Sequence, residues 1–373
     1  MAILACSMMP ALLVSGLTFS PSALPSGVPH RTSASLCMMA AGPPPGTPGG
    51  PGGPPVAVAT GGPPALGGPP TGGPPGGGGG PPGGGGGPPA KSALDNALDA
   101  LFESAFGLLY AFEPEGRLDS SKNLRVLWVR ALLASLGKLD DDVAYQLLPE
   151  SSRWLVGKAA APLWPAAVTD KLSWIVQRTE WIDGALDEFI AAQDGAAQVV
   201  LVGAGYDTRA LRYAGKRTAT PLTFFEVDLP AVVEAKAAMG RRRDAAAAAD
   251  APLPAALACD LNQGAGEVLA RLEKELGLSR ALPTLIVVEA VLFYLAPPAK
   301  SKLLGEVAEL LAAQPDSKLV LTDNLAPFVR GPARPAAEAY LSPMGLQLEQ
   351  HDTLWGGAIQ FVVAEGGAPA DAA

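Results

Sequence analysis

Acidic residues are missing from the start of this 373-residue chain: no Asp or Glu precedes Asp95, and Arg31 is the only basic residue before Lys91. Cysteine and histidine are nearly as scarce. Of 3 Cys and 2 His, only Cys259 and His351 lie beyond residue 90, too few for a zinc cage and with no partner for a disulfide there. A Cys/His nucleophile pair would have to be these two residues. The chain also lacks any uninterrupted apolar run of the roughly 18 residues that a spanning helix needs, and its first apolar stretch, 2–14, is broken by Pro10. No metal and no membrane partner is therefore expected.

What the beginning does contain is a leader and a tract. Residues 1–41 are rich in Ser, Thr and Ala around one basic site at His30 and Arg31, which reads as a removable targeting leader. A hydrophobic start followed by an acid-free Ser/Thr-rich part resembles the two-part leaders of algal plastid proteins, with Ser35 to Ala40 as a processing region; a secretory signal and a misassigned start codon are the alternatives, the latter with a cytoplasmic address. Between Gly42 and Pro89, 22 Gly and 17 Pro leave almost nothing to bury, so residues 42–90 read as a disordered Gly/Pro-rich linker. Residues 91–373 have the composition of one domain. They carry 26 basic and 36 acidic residues, a balance of −10 that repels phosphate backbones and argues against nucleic acid as a partner.

Within 91–373 the pattern changes once. Residues 91–192 read as helices, with Leu94, Leu98, Leu101 and Phe102 and then Leu124, Leu127, Trp128 and Ala131 at three-to-four spacing. From 193 onward short apolar runs alternate with helical segments: strands at 198–202, 222–227, 256–259, 284–288 and 318–322, helices at 231–239 and 264–276. This alternation predicts an α/β fold with a mostly parallel sheet and right-handed crossovers. Two further strands, 346–349 and 358–363, follow without a helix between them and predict a terminal antiparallel hairpin. A parallel sheet that ends this way is the Rossmann-like arrangement of class I S-adenosyl-L-methionine (SAM)-dependent methyltransferases, whereas a dinucleotide dehydrogenase half normally ends parallel.

The strand ends carry the candidate site. Gly203 and Gly205 follow the first strand and let the backbone turn sharply beside a ligand. A dinucleotide fingerprint would have its third glycine at 208, but Thr208 stands there beside Asp207, an acid that opposes a pyrophosphate and suits a ligand with an ammonium group and no phosphate, as SAM is. Asp228 ends the second strand, placed to accept both ribose hydroxyls. Asp260 and Leu261 follow the third, where a carboxylate meets an adenine amino group and an apolar side chain its ring. Glu289 ends the fourth, inside an apolar run where an unpaired charge costs several kcal/mol, so its partner is either a ligand or an arginine, Arg209 or Arg178.

Four blocks at these positions resemble the leucine carboxyl methyltransferase family, with its bacterial branch of SAM-dependent methyltransferases: Val200–Leu201–Val202–Gly203–Ala204–Gly205–Tyr206–Asp207–Thr208–Arg209 with Arg212; Phe225–Glu226–Val227–Asp228–Leu229–Pro230 followed by Lys236; Asp260–Leu261; and Glu289–Ala290–Val291–Leu292–Phe293–Tyr294–Leu295. The resemblance runs from about Asp119 to Asp323. It implies SAM as cofactor, with Gly203 and Gly205 along the methionine part, Asp228 on the ribose, Asp260 and Leu261 about the adenine, and Glu289 near the amino end. It also implies that Arg178 grips the cofactor carboxylate, with Lys122 as a second candidate, and that the helical segment 91–192 covers the site. Ala290 departs from the family, which usually has Gly there. The acceptor implied is a small-molecule or protein carboxylate or a hydroxyl. An NAD(P)-binding oxidoreductase and a catalytically degenerate SAM-binding module remain the competing readings, and the sequence gives neither the acceptor, a catalytic residue nor the oligomeric state.

Overall fold

A computed structural model describes residues 100, 104, 121–214, 220–241, 243, 252–323, 333–354 and 359–367. The leader at 1–41 and the linker at 42–90 lie outside the described residues.

The first described elements are helices: α1 (Ser121–Ser135), α2 (Asp142–Leu147), α3 (Glu150–Val156), α4 (Ala166–Lys171) and α5 (Ser173–Ala191). Their apolar positions form a cluster of their own, in which Trp128 meets Trp164 edge to face at 5.0 Å and Leu211, Val232 and Met239 join from the sheet-bearing part. In α5 the buried stripe runs Ile175, Arg178, Thr179, Ile182, Leu186 and Phe189, so helical periodicity carries two polar residues inward along with the apolar ones. That stripe positions part of the site.

Among the described residues, seven strands then form one sheet in the order β3-β2-β1-β4-β5-β7-β6. They are β1 (Ala197–Val202), β2 (Leu222–Asp228), β3 (Ala255–Ala258), β4 (Thr284–Glu289), β5 (Lys318–Asp323), β6 (Leu346–Leu354) and β7 (Ile359–Gly366). The first five pair in parallel; β7 runs antiparallel to β5, and β6 antiparallel to β7. This is the expected class I methyltransferase arrangement. Every residue of β1 is buried, as a continuous apolar strand at the middle of a covered sheet should be. Strand alternation sends Val200, Val202, Ile286, Val288, Leu319 and Leu321 to one core and Val199, Leu201, Leu285, Val287 and Val320 to the other, against Ile182, Leu186 and Phe189 of α5.

The helices after the strands are α6 (Arg209–Ala214), α7 (Pro230–Arg241), α8 (Leu261–Gly264), α9 (Val268–Arg271), α10 (Pro297–Ala313) and α11 (Ala333–Leu341). Here the sequence reading needs correction. The helix expected over 264–276 begins only at Val268, because Gly266 at φ +95° breaks the chain away from α8, and its final turn, Leu272–Leu276, is widened into a π-helix. The hairpin strands are also longer than the apolar runs, and a bulge between Leu348 and Gln350 shifts their register.

Candidate functional site

The strand order reverses between β1, which continues to β2 and β3, and β4, which continues to β5. Ligands bind at the carboxyl ends of strands at such a switch point. Gly203, Gly205, Asp228, Asp260 and Glu289 all stand at or just past those ends.

The turn after β1 has Gly203 at φ +65° and Gly205 at φ +51°, both left-handed. Its start hangs on β2, with Gly203 N–H donating to the Val227 carbonyl at 2.8 Å and Ala204 N–H to the same oxygen at 3.1 Å. A Cβ on Gly203 would sit 2.3 Å from Val291 Cγ2, and one on Gly205 3.1 Å from the Asn123 amide of α1. Neighbouring side chains thus require glycine at 203 whether or not a ligand is bound.

The Asp228 carboxylate accepts the Gly205 N–H at 2.6 Å and the Leu229 N–H at 2.7 Å. Burial pushes its pKa up, against those two bonds. An ionised carboxylate offers about four acceptor sites, so two backbone donors leave about half of them. Among the described residues Asp228 and Asp260 make no ion pair. Asp260 caps α8, accepting from Asn262 N–H at 2.9 Å and from Gln263 Nε2 at 2.8 Å, while Leu261 is buried in the core beside Cys259. A cleft of about 160 Å³ opens beside Asp228, lined by Gly205, Glu226, Val232, Lys236 and Leu253 among others.

Glu289 is held differently. Alternation along β4 points it to the α5 side, where Arg178 Nε lies 2.8 Å from Oε1, without hydrogen-bond alignment, and Arg209 Nη1 donates to Oε2 at 2.8 Å. The Arg178 guanidinium also lies over the Trp174 ring, 5.0 Å from its centre. Burial alone would raise the Glu289 pKa, but Arg178 and Arg209 outweigh it and lower the pKa. The sequence reading left a ligand and an arginine partner open for Glu289, and two arginines stand against it.

Those arginines belong to a larger buried network that the sequence reading missed. Arg209 bonds Asp207, Asp183 at 2.7 Å and Glu289; Arg212 bonds Asp183 at 2.6 Å. Arg130 of α1 donates to Asp141 at 2.7 Å and to Thr208 at 3.1 Å, and Thr208 donates to Asp141 at 2.9 Å. Asp207 also accepts the Arg209 N–H at 2.6 Å, which caps α6. Burial would raise the Asp207 pKa, yet Arg209, Arg130 and Lys236 drive it far below the carboxylate range. The only signal for this network in the sequence was the density of charge in the 207–212 block.

Lys122 lies in the first turn of α1, and its side chain is outside the described residues. Tyr294 is 41% exposed on the short turn after β4, and burial of its hydroxyl, with Asp323 nearby, pushes its pKa up to about 12. His351 Nε2 is paired with Gln360 Oε1 at 3.1 Å on the terminal hairpin. Among the described residues no His/Cys/Asp/Glu group could hold a metal ion, and no helix is long and apolar enough to cross a membrane.

A protein of Streptomyces coelicolor named a putative S-adenosyl-L-methionine-dependent methyltransferase is 36% identical over 139 residues, which is 37% of this chain and 45% of the relative. One of the same name from Mycobacterium avium is 32% identical over 203 residues, 51% of this chain and 59% of the relative. The chain thus spans about half the length of the curated relatives it matches. The crystal structure of a putative methyltransferase from Thermobifida fusca is 18% identical, with a TM-score of 0.36, over 64% of this chain and 94% of that one. The model of the leucine carboxyl methyltransferase family matches residues 123–308, which take in every candidate residue from Arg178 to Glu289 and leave Lys122 one position outside. Over that segment, from the cover helices to the helix before β5, the chain belongs to the leucine carboxyl methyltransferase family.

Proposed function

We propose that this chain binds SAM at the carboxyl ends of β1 to β4 and transfers its methyl group to an oxygen acceptor, a carboxylate or hydroxyl of a small molecule or a protein. The observation that carries this reading is Asp228: a part-buried carboxylate against the Gly205 turn, with acceptor capacity left and no ion-pair partner among the described residues, inside the matched segment.

Donor chemistry makes the fit. Asp228 would take the ribose hydroxyls, Asp260 and Leu261 the adenine, and the Gly203–Gly205 turn the methionine part. Arg178 would hold the carboxylate, with Lys122 as the second candidate, and Glu289 lies near the amino end. Bound there, the cofactor supplies a methyl group on a sulfonium, an electrophile that requires no nucleophile from the protein. The chain's part is alignment. Arg178 is preset for it by Glu289 on one side and Trp174 on the other, and the cover helices are tied to the turn through Arg130, Asp141 and Thr208. A carboxylate acceptor is ionised at neutral pH and needs no base, which accords with a domain whose one histidine is engaged on the far hairpin.

The dinucleotide reading is disfavoured by Thr208, which is fully buried and spends its hydroxyl on Asp141, so the position of the third glycine is a cover anchor. The degenerate-module reading drew on Ala290, but that residue itself adopts the left-handed φ of 56° that a glycine would take. To test the reaction, the full chain is incubated with methyl-labelled SAM and pools of carboxylate and hydroxyl acceptors. Label that mild alkali releases as methanol marks an ester; alkali-stable label marks an ether; a folded chain that binds SAM and labels neither pool is the module.

Composition supports a plastid-type leader at 1–41. N-terminal sequencing of the chain recovered from its own host should start after residue 35, and an intact Met1 would contradict that reading.

A further inference from the structure

Lys236 lies on α7, eight residues past Asp228, with a side chain only 5% exposed. Its ammonium donates to Glu226 Oε1 at 2.6 Å and to the backbone carbonyl of Asp207 at 2.6 Å. The second bond is the informative one. Asp207 closes the turn that Gly203 opens, and its N–H donates back to the Ala204 carbonyl at 2.8 Å. The opening of the turn is already held by β2 through Val227 and Asp228. Its closing residue has the Lys236 ammonium on the main-chain oxygen, so the turn is clamped at both ends and Gly205 is delivered to the Asp228 carboxylate.

A buried ammonium is costly, and replacing a buried ion pair by apolar side chains is often neutral or stabilising. Stability alone is therefore a weak reason for Lys236 and Glu226 to stand here. Glu226 and Asp228 lie two residues apart on β2 and so share a side of the sheet, and Lys236 lines the same cleft as Asp228.

We propose that Lys236 is a positioning residue for the bound cofactor: neutralised by Glu226, it holds the Asp207 carbonyl and fixes residues 203–207 in the shape that keeps Asp228 aimed at the ligand. The proposal rests on the SAM-binding reading given above.

The test uses the full chain with SAM and its demethylated product in calorimetric titrations, alongside melting of the apo protein and amide exchange. Lys236→Met with Glu226→Gln removes the ammonium without stranding a charge. Its affinity for SAM should fall at least tenfold and amide exchange across 203–207 should rise at least tenfold, while the melting temperature stays within a few degrees and exchange in β4 is unchanged. Glu226→Gln alone keeps the bond to Asp207 and should bind SAM within about threefold of wild type. Wild-type affinity in the double variant overturns the proposal, as does a loss of binding that only tracks a loss of folded protein or appears equally in Glu226→Gln. A folded wild-type chain that binds neither ligand overturns the SAM reading itself, which separates the two failures.

Discussion

Ala290 holds φ at 56°, a conformation that costs an alanine about 1 kcal/mol or more. It is kept there by its own N–H, which donates to the Thr322 carbonyl at 2.8 Å, and by Asp323, whose buried carboxylate accepts the next two backbone N–H groups at 2.9 and 2.5 Å. Ala290→Gly should therefore stabilise the protein by about 0.5–1 kcal/mol, the relief of strain outweighing the entropy gained by the unfolded chain. A melting temperature below wild type would show that the turn is unstrained. Gly203 is the opposite case. Gly203→Ala meets Val291 and a left-handed φ together and should cost about 2–4 kcal/mol, of which Val291→Ala in the same chain restores only part, because the backbone strain remains. Urea unfolding of the two single variants and the double gives that coupling directly.

Among the elements, α5 does most to join the cover helices to the sheet. Its buried face carries Arg178 and Thr179, and Asp183 one turn on bridges Arg209 and Arg212. Asp183→Asn leaves two guanidinium groups short of a charge partner and should destabilise by about 3 kcal/mol. Burial raises the Asp183 pKa, but Arg209 and Arg212 outweigh it and lower it overall. A lowered carboxylate pKa stabilises above the unfolded value and loses that contribution as pH falls through the folded one. The melting temperature should thus fall as pH drops below about 4, and Asp183→Asn should flatten that fall. Unchanged steepness in the variant would place the acid sensitivity elsewhere. Glu226 works in the other direction: burial, against Lys236, raises it to about 6, so its own effect is to favour the fold as pH falls through that value.

The strands were legible at this scale because β1, β2, β4 and β5 are apolar runs bounded by turn residues and are covered on both faces. The helix in 264–276 was legible except at its start, because apolar spacing continues across Gly264 and Gly266 while the backbone does not. The bulged hairpin was legible only in its apolar parts; the exposed half of β6 carries no pattern to read.

For the whole molecule, the sequence placed its candidate residues at strand ends, since Gly203, Asp228, Asp260 and Glu289 need only their strands to be placed. It could not locate the wider network, whose partners lie far apart in the chain: Arg130 with Thr208, Asp183 with Arg209 and with Arg212. Such pairs exist only once the cover has folded onto the sheet. They also change the meaning of Arg178 and Glu289, which hold each other before any ligand arrives. The negative balance of the domain and the acids at its strand ends accord with a cationic ligand such as SAM. Calorimetric titration of the full chain and of Asp228→Asn with SAM, its demethylated product and NAD decides whether SAM is that ligand. Micromolar binding of the first two by the wild type is expected, with at least tenfold weaker binding by the variant at an unchanged melting temperature and no binding of NAD. Binding of NAD alone, or equal SAM affinity in both proteins, would contradict the SAM reading.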